Sequence, residues 1–269
     1  MPLEIDLVKD FWNEASCGED LYLKGDELKE RFENQSRIRY QLEPYILDFA
    51  EFEKWKGLRV LEIGVGLGAD HQKFAEGGAL LTGIDLTERA IEFTSKRFKI
   101  FDLQSDLKVS NAEKLPFEDN TFDLVYSWGV IHHSPDTEKV VEEIYRVLNK
   151  NGSARIMIYY TKSMVGYMLW VRYGLFKFRP FISMKTIFST YLESPGTKAY
   201  KLKEAHKLFS AFNKIEIETV LTHGDLLSSD AGQRHRGWLL NLAKKIYPRN
   251  LIKSLLPKNG LFMLIKLEK

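Results

Sequence analysis

Three sets of residues stand at spacings that could do chemistry. The first is the alternating glycines Gly64, Gly66 and Gly68, in Val60-Leu61-Glu62-Ile63-Gly64-Val65-Gly66-Leu67-Gly68-Ala69-Asp70. Glycine leaves no Cβ between backbone and ligand and tolerates positive φ in a tight turn. The second is Asp85 in Gly83-Ile84-Asp85-Leu86-Thr87. It lies about twenty residues further on, and at a strand tip its carboxylate can accept two hydrogen bonds from a ribose diol. The third is the pair His132-His133, since an imidazole titrates near neutral pH and can act as a general base. A strand, a glycine-rich turn, a helix and then an acid at this distance form a nucleotide-cofactor site.

Such a site needs elements that hold it. Apolar runs predict strands over 58–63, 80–85, 107–110, 122–127 and 154–160, with helices between them at 70–76, 88–101 and 137–148. Alternation in this order makes a parallel sheet with helices on both faces. Ligands bind such sheets at the carboxyl ends of the strands, where Gly64, Asp85 and His132-His133 fall. Residues 1–56 read as a polar, helical segment that forms a lid, with Pro44 ending or kinking a helix. The cofactor-binding core covers 57–160, and an insertion rich in aromatic and basic residues covers 161–201 as a cap. The chain completes the sheet over 202–269, with a helix at 203–212, strands at 214–221 and 261–267, and a second insertion at 223–259. The last two strands, with no ordinary crossover helix between them, are expected to be an antiparallel edge pair.

Bulk properties narrow the function classes. The chain has 269 residues, 44% hydrophobic and 28% charged, enough for one sizeable α/β domain with insertions. With 39 basic and 37 acidic residues and no long block of like charge, nucleic acid is not expected as a partner. The single cysteine, Cys17, excludes an internal disulfide and suits a reducing compartment. Acids near the N-terminus do not match a signal peptide, and no apolar run reaches the roughly twenty residues that span a bilayer. A cytoplasmic protein with no integral membrane segment is expected.

The core resembles the class I S-adenosylmethionine-dependent methyltransferases, in particular the small-molecule group that includes quinone methyltransferases. The residues that carry the resemblance are 60–70 and 83–87, with Asn111 to His133 and Glu143 to Gly152. The resemblance implies a Rossmann-like, doubly wound seven-stranded α/β sheet with an antiparallel last strand, under a helical N-terminal segment and insertions that form a cap. It implies S-adenosyl-L-methionine as cofactor and a small-molecule acceptor methylated on oxygen, nitrogen or carbon. Glu62 would lie near the cofactor's ammonium, Asp85 on the ribose hydroxyls and Leu86 against the adenine. Asn111 and Ala112 would read the adenine edge, with Asn111 standing where relatives usually carry Asp. Trp128 stands at the pocket edge. The loop lacks the glycine pattern of a pyrophosphate binder, which favours this cofactor over a nicotinamide.

Several assignments stay open. Asn111 could serve turn chemistry alone. His132 and His133 are candidate catalytic residues or simple packing groups, with His133 the better placed. Of Tyr159 and Tyr160, strand alternation lets one face the substrate pocket. The aromatics of 161–181 could close over a hydrophobic acceptor, rest on a membrane surface or pack as a cap. Asp225, Asp230, Gln233, Arg234, His235 and Arg236 could shape a substrate pocket, and their spacing does not resemble metal ligation, so no metal is expected. An NAD-dependent oxidoreductase and a non-catalytic cofactor-binding subunit are the alternative functions.

Overall fold

The computed structural model describes residues 4–16, 19, 23–229 and 244–269. Cys17, Asp230, Gln233, Arg234, His235 and Arg236 lie outside the described residues. The sheet strands are β1 (Arg59–Ile63), β2 (Leu80–Asp85), β3 (Asp106–Val109), β4 (Phe122–Trp128), β5 (Leu148–Tyr159), β6 (Lys214–Val220) and β7 (Phe262–Glu268). They order as β3-β2-β1-β4-β5-β7-β6. The first five are parallel, and β7 runs antiparallel to both β5 and β6. The expected antiparallel ending is therefore present, with β7 inserted between β5 and β6. The order in which strands are added reverses between β1 and β4, while both stay parallel, and this opens a crevice at their carboxyl ends.

The helices are α1 (Glu4–Glu14), α2 (Leu28–Leu42), α3 (Tyr45–Ala50), α4 (Ala69–Glu76), α5 (Glu88–Ile100) and α6 (Thr137–Val147). The chain after β5 adds α7 (Met164–Tyr173), α8 (Met184–Tyr191), α9 (Leu202–Leu208) and α10 (Arg249–Leu255). Pro44 separates α2 from α3, as its missing N–H requires. Several starts are fixed by side chains that accept a backbone N–H: Thr87 from Ala90, Asp136 from Lys139 and Ser163 from Gly166.

Strand alternation divides the core. Leu61, Ile63 and Val125 face α6, which presents Val140, Ile144 and Val147 at helical spacing. Val60, Leu124 and Tyr126 face the other way, onto Phe74 and Phe98 of α4 and α5. β5 starts six residues earlier than the sequence suggests, because Leu148 already pairs with Phe122 before a register shift.

Candidate active site

The backbone that follows β1 is pinned from several sides. Gly64 and Val65 N–H donate to Ile84 O at 2.7 and 3.2 Å, which ties the turn to β2. Gly64 and Gly66 both have positive φ. A Cβ on Gly64 would overlap Val130, whereas one on Gly66 would meet nothing within 4 Å. Gly66 thus turns bare backbone toward an open cavity. Beneath the loop, the fully buried Arg97 donates to Leu67 O at 2.8 Å and to Phe32 O at 2.8 Å. It also holds Gln72 and Ser36 at 2.6 Å each, so a single guanidinium clamps α2 to the loop. Burial lowers its pKa to about 10, and it stays charged at neutral pH.

Asp85 stands at the end of β2 beside this loop. Its Oδ2 accepts from Gly66 N at 3.2 Å, and its Oδ1 accepts from Thr87 N and Oγ1 at 2.9 and 2.8 Å. Burial raises its pKa, and those donors oppose the rise. Glu62 lies on β1 with Oε2 at 2.9 Å from His71 Nδ1. Burial first, then the Asp70 charge, push its carboxyl well above the usual range. His71 is lowered to about 3 by burial, so it is neutral beside Glu62.

Asp70 is the hub of this end. Arg39 grips it through two bonds of 3.0 and 2.7 Å, and Tyr40 and Tyr126 donate to it at 2.9 and 2.8 Å. Burial alone would raise its pKa, and Arg39 with the two phenols outweighs that and lowers it. Arg39 also lies 3.2 Å from Glu43. Burial raises Glu43 to about 7 despite Arg39.

The other end of the cavity is built around His133. Its Nδ1 lies 2.8 Å from Ser194 Oγ and 3.1 Å from Thr197 Oγ1, and its Nε2 lies 3.3 Å from Glu193 Oε2. Tyr159 donates to that same oxygen at 2.7 Å, and the Trp12 ring meets His133 edge-on at 5.1 Å.

Most of the expected site residues converge. Glu62, Gly64, Gly66, Gly68, Asp85 and Leu86 line one cavity, as do Asn111, Ala112, Trp128, His133 and Tyr159. Asn111 keeps both of its readings. It lines the cavity, and its Oδ1 accepts from Glu113 N at 2.9 Å in a local turn. Two expectations need correction. His132 is fully buried against Tyr159 and is absent from the cavity wall, because adjacent side chains of the short turn Ile131–His133 diverge. Tyr160 falls on the opposite face of the sheet, in the cluster with Phe209 and Ala205, as alternation after Tyr159 demands. Of the candidate pocket residues in the second insertion, Asp225 is buried and accepts from Thr222, Val165 and Leu261 N–H groups, a structural tie away from the cavity.

Trp12 and Asp70 line the cavity too, and so do Arg39, Glu43 and Glu193, which the sequence reading passed over. Glu193 carried a visible signal: it is the first acid after a stretch from 161 to 192 that has none. Although the spacing suggested no metal site, His132, His133 and Glu193 bring one possible ligand atom each to within 4.8 Å of one another.

The donor set can be matched to a ligand by charge. Among the described residues lining the cavity, Glu43, Glu62, Asp70, Asp85 and Glu193 face Arg39 as the single lysine or arginine. A pyrophosphate would be repelled there, while a ligand with net positive charge relieves buried carboxylates. S-adenosylmethionine carries a sulfonium and an ammonium against one carboxylate. The open face of Gly66 and the acid at the tip of β2 suit its ribose.

Comparison with known proteins agrees. Residues 61–156 match the family model described as "Methyltransferase domain". Over these residues the chain is similar to methyltransferase domains. A sterol 4-C-methyltransferase of Caenorhabditis elegans is 31% identical over 125 residues, which cover 45% of this chain and 37% of that one. A ubiquinone biosynthesis O-methyltransferase of Pelagibacter ubique is 31% identical over 122 residues, covering 44% and 50%. The chain thus spans half or less of these curated methyltransferases. The solved Haemonchus contortus phosphoethanolamine N-methyltransferase 2, in complex with phosphomonomethylethanolamine and S-adenosylhomocysteine, matches with TM-score 0.57. That match is 18% identical and covers 91% of this chain and 60% of the other, so it speaks for the shared fold.

Proposed function

We propose that this protein transfers a methyl group from S-adenosylmethionine to a small-molecule acceptor. The observation that carries the reading is the excess of buried carboxylates around a glycine turn, in a cavity with Arg39 as its lysine or arginine. When bound, the cofactor supplies a sulfonium methyl, which is already electrophilic. The chain then needs to align the acceptor and exclude water. Asp85 would hold the ribose hydroxyls, and Gly66 would let the backbone approach. Glu62 and Asp70 would balance positive charge from below. Leu86, Ala112 and Asn111 would enclose the adenine, and Trp128 would close the wall.

At the other end, His133 is the group we assign to take a proton from an acceptor that must lose one. Glu193 beside its Nε2 would stabilise the imidazolium so formed. Trp12 and Tyr159 would form the wall that keeps water from it. The aromatic lining favours a hydrophobic acceptor. The single cysteine supports a cytoplasmic setting.

Calorimetric titration with S-adenosylmethionine, S-adenosylhomocysteine and NAD tests the donor. The expected result is binding of the first two and none of NAD. Binding of NAD alone would make the protein a nicotinamide enzyme. Turnover is then read with labelled methyl donor on a panel of phenols, amines and sterols. Cofactor binding with no transfer across a broad panel would favour a non-catalytic subunit.

A further inference from the structure

Two stretches of the chain contain bases and no carboxylate. From 161 to 192 the charged residues are Lys162, Arg172, Lys177, Arg179 and Lys185. From 244 to 260 they are Lys244, Lys245, Arg249, Lys253 and Lys258. The whole chain is only +2, so the remainder is net acidic and the positive charge is segregated. The start of the first stretch meets the end of the second: Met164 N donates to Asn259 O at 2.9 Å, and Asn259 Nδ2 donates to Lys162 O at 2.9 Å.

Rings crowd the tip of the first stretch. Phe176, Phe178 and Phe181 are 72%, 95% and 99% exposed. The turn that carries them is tied down, because Arg179 N donates to Gly174 O at 2.8 Å and Phe178 N to Leu175 O at 3.1 Å. Phe178 adopts φ +55, a conformation bulky residues rarely take, so a fixed turn exposes these rings. The second stretch adds exposed Ile246, Leu251 and Leu255. Scattered apolar side chains are ordinary on a surface, whereas three neighbouring phenyl rings among bases mark a contact.

The geometry points to docking of this basic, aromatic face on the surface of an anionic lipid bilayer. Rings and leucines partition into the boundary between headgroups and acyl chains, and the lysines and arginines are drawn to anionic headgroups. Nucleic acid would use the bases and some rings, but it offers nothing to Leu175, Ile246, Leu251 or Leu255. Among the described residues no helix is long and apolar enough to cross a membrane, so contact through these helices is peripheral. This inference does not depend on methyl transfer.

Flotation with vesicles tests it, comparing phosphatidylcholine alone with equal parts of phosphatidylcholine and phosphatidylglycerol. The full chain is expected to float with the anionic vesicles, less so in high salt, and to stay behind with the neutral ones. Phe178→Ser with Phe181→Ser should reduce partitioning by about tenfold or more, with circular dichroism and cofactor binding unchanged. Lys177→Glu with Arg179→Glu should act in the same direction. Failure to float with anionic vesicles overturns the inference, and so does equal flotation of the variants. Binding of single-stranded RNA without vesicle binding would reassign the face to nucleic acid. A dimer that the Phe variants dissolve, again without vesicle binding, would reassign it to a second copy of the chain.

Discussion

At the glycine end of the cavity, the loop and the acids Glu62, Asp70 and Asp85 come from one short run of sequence, clamped by Arg39 and Arg97 from α2 and α5. At the histidine end, the wall is assembled from distant places: Trp12 on α1, His133 after β4, Tyr159 on β5 and Glu193 from the cap. The first end is tied by hydrogen bonds and charged, and its acids outnumber its cations. The second is aromatic, and its cavity-lining histidine, His133, is held by the hydroxyls of Ser194 and Thr197 and the carboxylate of Glu193. Under the proposed function, the first end serves the methyl donor from a local motif, and the second meets the acceptor with side chains assembled by tertiary packing.

The largest effect should come from breaking the glycine end. Asp70→Ala would leave the buried Arg39 with Glu43 as its one carboxylate partner among the described residues and strip two phenols of their acceptor. Removing one partner of a buried pair costs about 3–5 kcal/mol. Denaturant unfolding should show that loss. A change within error would mean that Asp70 is not the keystone of this end.

The histidine end should respond in rate rather than stability. His133→Ala is expected to lower turnover by about a hundredfold or more, the usual contribution of a general base, with cofactor affinity unchanged in calorimetry. Glu193→Gln should lower it less. If both variants turn over normally, His133 and Glu193 only pack against the acceptor. Asp85→Ala should weaken S-adenosylmethionine by at least about 1–3 kcal/mol, through loss of a charged acceptor. Unchanged affinity would remove Asp85 from the cofactor site and blur the division between the two ends.

The same division governed what could be read from the sequence. Gly64, Gly66, Gly68 and Asp85 were legible because backbone access and a strand-tip acid leave a fixed spacing. The strands and the antiparallel ending were legible because apolar runs and the missing crossover dictate them. Arg39 and Glu193 were not. Each meets its partner across a separation set by tertiary packing, 31 residues for Arg39–Asp70 and 34 for Tyr159–Glu193. Nothing local distinguishes Arg39 from its neighbours on a polar helix. The choice between His132 and His133, and between Tyr159 and Tyr160, stayed open for a related reason, since composition names a chemical type while the turn and the pleat decide which neighbour faces the cavity.

The smallest effect concerns Glu43, and it separates the two ends by pH. Its pKa in the free protein is raised from 4.5 to about 7, by burial first and with Asp70 and Glu193 adding to the rise. A carboxyl raised on folding stabilises fully below its unfolded pKa, and that contribution is lost as pH rises from about 4.5 through about 7. A cationic ligand does the opposite. It favours the ionised carboxylate, so S-adenosylmethionine should bind more tightly as pH rises through about 7, with a proton released on binding. The gain is bounded at about tenfold per pH unit, or about 1.4 kcal/mol, for one proton. Titrations in buffers of different ionisation enthalpy measure that proton directly. Glu43→Gln should flatten both the fall in stability and the rise in affinity, while leaving His133-dependent turnover at saturating cofactor unaltered. A variant that keeps the pH dependence of binding would move the titrating group to Glu62, whose carboxyl is also raised by burial.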